Sequence, residues 1–249
     1  MILKIFSVDE LDISRGYKNG LKKIQSSSNF EKCMLIMWLL GPLIYLIERS
    51  PADAWLSALA IIFLIRSYIN KEWRWLKQNW FKFSIALWLT GLISAVLSQD
   101  PLFTFSQGFV WIRFPLYAVA VQTWLARDRD IRILMLLSMG LGMIIMCLIL
   151  TAELIFSPLD PSGVVKTRLT WPYGDLVPGG YLAKVSLPLF CVLIAIAVNK
   201  ASKLSGYLGL IALIPLGYLF LTGERTNTIL RVCSGIMSAL VWRPKFLSL

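Results

Sequence analysis

Histidine is absent from this chain of 249 residues, and charged residues are scarce. Without histidine, the chain cannot form a Ser-His-Asp or Cys-His catalytic arrangement or a metal site with a histidine ligand. Any general base must be Asp, Glu, Lys, Tyr or Cys. Charged residues make up 16% of the chain, against about a quarter in soluble domains. The composition therefore argues against a soluble globular fold.

Cysteine is also rare. The four cysteines, at positions 33, 147, 191 and 233, all fall in apolar stretches, and none has CxxC spacing. This pattern is typical of small packing residues rather than of disulfides or a zinc site. We therefore expect no bound metal and no cofactor.

Long apolar runs are abundant. The chain is 57% hydrophobic with a mean hydropathy of +0.68, and a membrane-crossing helix needs about 20 apolar residues. We predict an all-α, polytopic transmembrane helix bundle of about eight spans. The predicted spans lie near 33–47, 52–65, 83–97, 109–125, 133–156, 181–198, 204–221 and 229–242. They form one transmembrane domain over 33–242, between a cytoplasmic N-terminal segment, 1–32, and a cytoplasmic C-terminal tail, 243–249.

The distribution of positive charge predicts the orientation. Of the 25 Lys and Arg residues, 18 lie before the first span, in every second connection or after the last span, whereas the other connections hold four. Basic connections stay in the cytoplasm, so both termini are predicted there and 98–108, 157–180 and 222–228 are predicted outside. Because the cations flank apolar stretches, the net charge of +11 reflects the lipid bilayer as partner and not nucleic acid.

A few cations lie on the side that this rule depletes, and these are the candidate ligand-binding residues. Arg113 and Lys184 lie inside the outer ends of predicted spans, Arg168 lies in an outer connection beside Lys166, and Arg225 follows the seventh span. Arginine holds phosphate oxygens bidentately and lysine adds a point charge. We predict an outward-facing pocket for an anionic headgroup such as a polyprenyl pyrophosphate. Interfacial anchoring of Arg113 is the alternative.

The catalytic residues are not identified by the sequence. Asp175 and Glu224 are the candidates for a base or orienting group, with Asp160 nearby in the same outer connection as Asp175. Ordinary solvated carboxylates would look the same. The base therefore stays an open question at this point.

Three segments around these cations carry a family resemblance. They are SQGFVWIRFPLYAVAVQTWLA, TRLTWPYGDLVPGGYLAKVSLPL and LTGERTNTILRVCSG, in that order along the chain. Together they resemble the arginine-bearing span, the outer-loop motif and the Gly-Glu-Arg-Thr segment of the O-antigen ligase and O-antigen polymerase family of bacterial membrane proteins. The resemblance covers roughly 80–240.

The resemblance implies a glycosyltransferase at the outer face of the bacterial inner membrane, in lipopolysaccharide or other surface polysaccharide biosynthesis. Such enzymes transfer a glycan from undecaprenyl pyrophosphate to a glycolipid or a growing glycan, without a nucleotide sugar or a metal. By motif position, Arg113, Arg168 and Arg225 are the expected phosphate contacts, and Lys184 is a supporting cation.

The sequence departs from the family in two respects. Trp171 stands where the family has the glycine of a Gly-Pro turn, and the longer family members carry a further periplasmic loop that supplies a histidine and an arginine. The expectation is thus a chain that looks like the N-terminal part of such an enzyme and transfers poorly or not at all alone. It is a truncated gene product, one half of a split protein whose partner segment is encoded downstream, or a diverged member. The alternatives are a non-catalytic truncated membrane protein or subunit, and a transporter of an anionic solute.

Overall fold

The computed structural model describes residues 13–47, 49–157, 168–172, 177–199, 214–223, 229 and 232–234. Every regular element in these residues is helical, which confirms the all-α prediction. The helices are α1 (Ile13–Ser26), α2 (Asn29–Leu39), α3 (Gly41–Ile44), α4 (Arg49–Ile69), α5 (Asn79–Val96), α6 (Pro101–Val110), α7 (Arg113–Ala120), α8 (Arg129–Phe156) and α9 (Val177–Asn199). The chain divides into two compact units, Tyr17–Arg132 and the combination of Met1–Gly16 with Ile133–Leu249.

Three of the described helices are long and apolar enough to cross a bilayer. They are Ser50–Ile69, Asn79–Val96 and Arg129–Phe156, with mean hydropathies of 1.5, 1.2 and 2.7. Only 11% of the second and 33% of the third is buried inside the protein. Helices of this length and composition, with most of their side chains unburied, are compatible with a lipid surrounding. The count of eight spans and the placement of the termini stay predictions.

The first predicted span, 33–47, is interrupted. The hydroxyl of Ser28 accepts a hydrogen bond from the Glu31 N–H at 3.3 Å and caps α2, which ends at Leu39. A separate turn, α3, then begins at Gly41 with Pro42 in its first turn. Proline has no N–H to continue a preceding helix but is favourable at a helix start.

Unit Tyr17–Arg132 is built around aromatic side chains that connect α2, α4 and α7. The Trp55 indole donates to the Met37 carbonyl oxygen at 2.7 Å, and its ring lies 5.4 Å from that of Tyr117. The Trp38 indole donates to the Tyr117 hydroxyl at 3.0 Å. These indoles bury large apolar areas while their N–H groups stay hydrogen-bonded, which fixes the three helices at this level.

Gly41 permits this arrangement, and its replacement tests it. A Cβ at Gly41 would lie 2.3 Å from Cζ2 of the buried Trp55 ring. Because that ring is held by its hydrogen bond, we expect Gly41→Ala to lower the free energy of unfolding by about 1–3 kcal/mol. The measurement is thermal unfolding in detergent micelles.

Gly91→Ala is the matched control for Gly41→Ala. Gly91 lies within α5 with open space around it, so alanine there should raise stability by about 0.5–1 kcal/mol. Equal stability of the two alanine variants would contradict the described packing of Trp55.

The C-terminus of α4 has an unusual residue at its turning point. The Lys71 N–H donates to the Tyr68 oxygen at 3.3 Å, and the Glu72 N–H donates to the Ser67 oxygen at 3.0 Å. This is the Schellman pattern, in which the turning residue is normally glycine. Lys71 occupies it with a φ of 54°, a conformation that costs a side-chain-bearing residue about 1–2 kcal/mol.

The predicted fourth span, 109–125, is not one continuous helix, and its outer connection, 98–108, is largely helical. Asp100 caps α6 by accepting from the Phe103 N–H at 3.3 Å, and Pro101 is its first residue. α6 ends at Val110, and α7 begins at Arg113. Pro115 lacks the N–H that a continuous helix would direct to Trp111, so a break just before it is favourable. Arg113 therefore starts a helix rather than lying four residues inside one.

In the unit that contains Ile133–Leu249, α8 contributes Met146, Leu150 and Glu153 as fully buried residues. On α9, Tyr181, Leu182, Val185 and Phe190 are buried. The Thr151 and Tyr218 hydroxyls share a hydrogen bond, which connects α8 to the helical residues 214–221. The described core of this unit is thus largely apolar, with the Ser186 and Thr222 hydroxyls as its buried neutral polar groups and Glu153 as its buried charged residue.

Candidate functional site

Arg113 forms an ion pair with a carboxylate from α4. Its Nη2 donates to Asp53 Oδ1 at 2.8 Å, and its Nη1 lies 3.4 Å from the Ser57 hydroxyl oxygen. The Ser57 hydroxyl itself donates to the Asp53 carbonyl oxygen at 2.7 Å. The Arg113 guanidinium also lies 5.2 Å from the centre of the Phe114 ring, in cation–π range. The sequence separation between Asp53 and Arg113 is 60 residues.

This pair is only partly withdrawn from solvent. The Arg113 side chain is 19% exposed and that of Asp53 is 35% exposed. The Nε of Arg113 is buried and has no hydrogen-bond partner in the part of the chain that the structure describes. An anion at this end of α7 would compete with Asp53 for the Nη groups of Arg113.

Glu153 is a second charged group in an apolar helix. Its side chain is fully buried on α8. One carboxylate oxygen accepts from the backbone N–H groups of Thr170 and Trp171, both at 2.8 Å, and the other accepts from the Thr170 hydroxyl at 3.3 Å. Such multiple hydrogen bonds are what a buried carboxylate requires. Glu153 thereby fixes the backbone of the segment 168–172.

The segment fixed by Glu153 contains Arg168, which lies against the turn that precedes Glu224. The Leu169 N–H donates to the Leu221 carbonyl oxygen at 3.1 Å. Gly223 has a φ of 80°, and a Cβ there would lie 2.7 Å from Arg168 Nε. Glycine is needed at this position both for its backbone conformation and for the close approach of the arginine.

The other predicted site residues have different outcomes. Lys184 is described and lies exposed on α9. Arg225, Glu224, Asp175, Asp160 and Lys166 lie outside the described residues. Arg113 belongs to unit Tyr17–Arg132 and Arg168 to the other unit, so the convergence of the four predicted cations on one pocket stays a prediction.

Among the described residues, no group of three or more Cys, Asp or Glu side chains has the geometry of a metal site. Carboxylates at Asp53 and Glu153 instead engage an arginine and backbone N–H groups. The chemistry that these contacts allow is charge pairing and backbone positioning.

Comparison with known proteins adds no relative: no protein-family model, curated protein or solved structure matches this chain. The resemblance to the O-antigen ligase and polymerase family therefore depends on the three sequence motifs alone. Independently of the motifs, the structure shows that the described parts of the second and third segments are joined by the hydrogen bond from Leu169 to Leu221.

Sequence reasoning missed Glu153 and the partner of Arg113. Glu153 carries a signal that was available, because a carboxylate within a run as apolar as 133–156 is a functional or structural candidate by default. Asp53 offered no such signal. It lies in the polar sequence ERSPAD, where a carboxylate is unremarkable.

Proposed function

We propose that this chain is a glycosyltransferase-like membrane protein that binds polyprenyl-pyrophosphate-linked glycan at the outer face of the bacterial inner membrane. It takes part in O-antigen or other surface polysaccharide ligation or polymerisation. The support is the order of the three arginine-bearing motifs, together with the apolar helices that they accompany.

One hydrogen bond between two of the motifs supports the proposal in addition to the sequence. The hydrogen bond from Leu169 to Leu221 joins the outer-loop motif to the Gly-Glu-Arg-Thr motif, although more than 50 residues separate them in the sequence. Arg168 lies against Gly223, and Arg225 follows two residues later along the chain. Two of the three arginines assigned to phosphate thus belong to segments that meet.

The chemistry assigned to these cations is stabilisation of the leaving pyrophosphate. Negative charge develops on that group as the anomeric carbon–oxygen bond breaks, and preformed cations at it lower the barrier. Glu153 is not the base of this reaction, because it is buried and its oxygens accept hydrogen bonds from 168–172. It is a positioning residue that holds the Arg168 segment. Asp175 and Glu224 remain the candidates for orienting the acceptor hydroxyl.

The test is the binding of undecaprenyl pyrophosphate to the full chain in nanodiscs. Removing one charge-assisted phosphate contact costs about 1.5–3 kcal/mol, which corresponds to about a 10- to 150-fold loss of affinity. We expect Arg168→Ala to show this loss. Lys77→Ala is the matched control, because Lys77 is equally an exposed cation but lies on the predicted cytoplasmic side.

Gly223→Ala provides a second arm, because its Cβ would displace Arg168 without removing its charge. We expect weaker binding of the donor by this variant. Gly217→Ala, with open space around it on the same helical segment, should bind as the wild type does. Equal, small effects of Arg168→Ala and Lys77→Ala would overturn the proposal.

A further inference from the structure

A second basic site lies in unit Tyr17–Arg132, at the end of α4 that the charge pattern assigns to the cytoplasm. It is a cavity of about 460 Å³ lined, among others, by Lys71, Glu72, Arg74, Trp75 and Arg127. We call it the Trp75 cavity. Its volume lies within the range of small-ligand pockets, about 300–1,000 Å³. None of these five residues belongs to the three motif segments, and among the other lining residues Thr123 lies in the first of them.

The Trp75 cavity has uncompensated positive charge. Lys71, Arg74 and Arg127 form no ion pair within the described part of the chain. The carboxylate of Glu72 does not neutralise them, because Arg66 Nη1 already donates to it at 2.6 Å. Three cations therefore surround a space whose single lining carboxylate is engaged elsewhere.

A neighbouring cavity does not share the excess of positive charge that the Trp75 cavity has. That cavity is larger, about 580 Å³, and shares Glu72 and Arg127 with the Trp75 cavity. Its lysine, Lys23, donates to Asp128 at 2.6 Å and to Asp130 at 2.8 Å. These hydrogen bonds raise the pKa of Lys23. The larger cavity is lined by as many carboxylates as cations, whereas the smaller one has three cations and one carboxylate, so the smaller one is the better anion site.

The indole of Trp75 adds a donor without an acceptor. Trp75 is 5% exposed, and its Nε1 has no hydrogen-bond partner among the described residues. Its ring is held between those of Phe63 and Phe81, at centroid distances of 5.5 Å and 5.0 Å. A buried donor without an acceptor is unfavourable, and an oxygen of a bound anion would satisfy it. Cytoplasmic positive charge explains the sign of the cations but not this cavity or this donor.

We propose that the Trp75 cavity binds a phosphate group, which Lys71, Arg74 and Arg127 contact while Trp75 Nε1 donates to one of its oxygens. Guanidinium groups match phosphate oxygens in geometry, and an ammonium group adds a compact charge. The phosphate belongs either to an anionic lipid of the adjacent leaflet or to a soluble phosphate compound. A lysine at the strained turn after α4 fits this role, because glycine would suit the backbone better.

The experiment measures the thermal midpoint of the purified full chain with two probes. One is phosphatidylglycerol added to phosphatidylcholine nanodiscs, and the other is inorganic phosphate added to the protein in neutral detergent. A rise with the lipid alone assigns the site to a headgroup, and a rise with inorganic phosphate assigns it to a soluble ligand. Either rise supports the proposal when Arg74→Gln and Arg127→Gln each weaken binding about tenfold or more.

Two variants distinguish a binding role from a structural one. Each should leave the unliganded protein as stable as the wild type or more stable, but weaken its binding of the probe. Lys71→Gly should raise the midpoint of the unliganded protein and weaken binding of the active probe. Trp75→Phe removes the unpaired N–H, so it should leave the unliganded protein at least as stable while weakening binding. If these residues had a purely structural role, the midpoint of the unliganded protein and the affinity for the probe would both fall. That result would overturn the proposal.

Lys77→Gln is the matched control, because Lys77 lies in the same short helical turn, Arg74–Lys77, but does not line the cavity. It should bind the active probe as the wild type does. The proposal is overturned if neither probe raises the midpoint, or if Lys77→Gln weakens binding as much as Arg74→Gln. Neither result bears on donor binding at Arg168, which uses a different ligand and different residues.

Discussion

Glu153→Ala is expected to lower the free energy of unfolding by about 3–5 kcal/mol, the largest single-residue effect that we predict. The change removes the acceptors of two backbone N–H groups and one hydroxyl in the segment 168–172. Each donor left without a partner costs about 1–3 kcal/mol, and the removed side chain leaves a cavity beside Leu150 and other buried residues of α8. Thermal unfolding and limited proteolysis at 168–172 measure the two consequences.

Glu153→Gln is the control that separates hydrogen bonding from charge. A glutamine oxygen can accept from the Thr170 and Trp171 N–H groups as the carboxylate does, and its NH2 group can donate to the Thr170 hydroxyl oxygen. We therefore expect this variant to stay within about 1 kcal/mol of the wild type. If the glutamine variant were as unstable as the alanine variant, the negative charge and not the hydrogen bonds would be the important property of Glu153.

The helical class and three of the spans could be predicted because they depend on local composition. Helices α4, α5 and α8 overlap the predicted spans 52–65, 83–97 and 133–156. Each is apolar over a length close to that of the bilayer core. Their ends differ from the prediction by a few residues, because polar residues such as Asn79 and Arg129 begin the helices, whereas hydropathy places them in connections.

The break in the fourth predicted span was missed for a different reason. Hydropathy alone does not distinguish a continuous apolar helix from two helices joined at Trp111 and Ile112. The signal for the break is Pro115, which cannot continue the hydrogen bonds of a preceding helix. A separate signal, Asp100 as the cap and Pro101 as the first residue, marks the start of α6 within the predicted connection.

The candidate site was less predictable, since its contacts join distant parts of the chain. The arginines could be selected from charge and motif, but the Asp53 partner of Arg113 and the contact of Arg168 with Gly223 depend on tertiary packing. Selecting candidate residues by positive charge also leaves out carboxylates that lie within apolar runs. Glu153 was missed for this reason, although its buried carboxylate accepts three hydrogen bonds from the segment 168–172.

The second large effect concerns the ion pair of Asp53 with Arg113. Breaking a buried pair by removing one partner costs about 3–5 kcal/mol, and exposure of Asp53 to solvent reduces this. We expect Asp53→Leu to lower the free energy of unfolding by about 2–4 kcal/mol, because the guanidinium stays half-buried without its carboxylate. Arg113→Leu is expected to cost less, since Asp53 lies nearer to solvent than Arg113 does.

The double variant, Asp53→Leu with Arg113→Leu, should return to within about 1 kcal/mol of the wild type, because replacing both members of a pair by apolar residues is often neutral. A double-mutant cycle of unfolding free energies in detergent micelles measures this, and additive losses would show that the two residues do not act as a pair. The same variant then tests the role of Arg113 in a restored fold. If Arg113 contacts the donor pyrophosphate, the double variant folds but binds undecaprenyl pyrophosphate about tenfold or more weakly. Wild-type affinity in the folded double variant would leave Arg113 with the structural pair alone, and the phosphate contacts would then belong to the Arg168 segment.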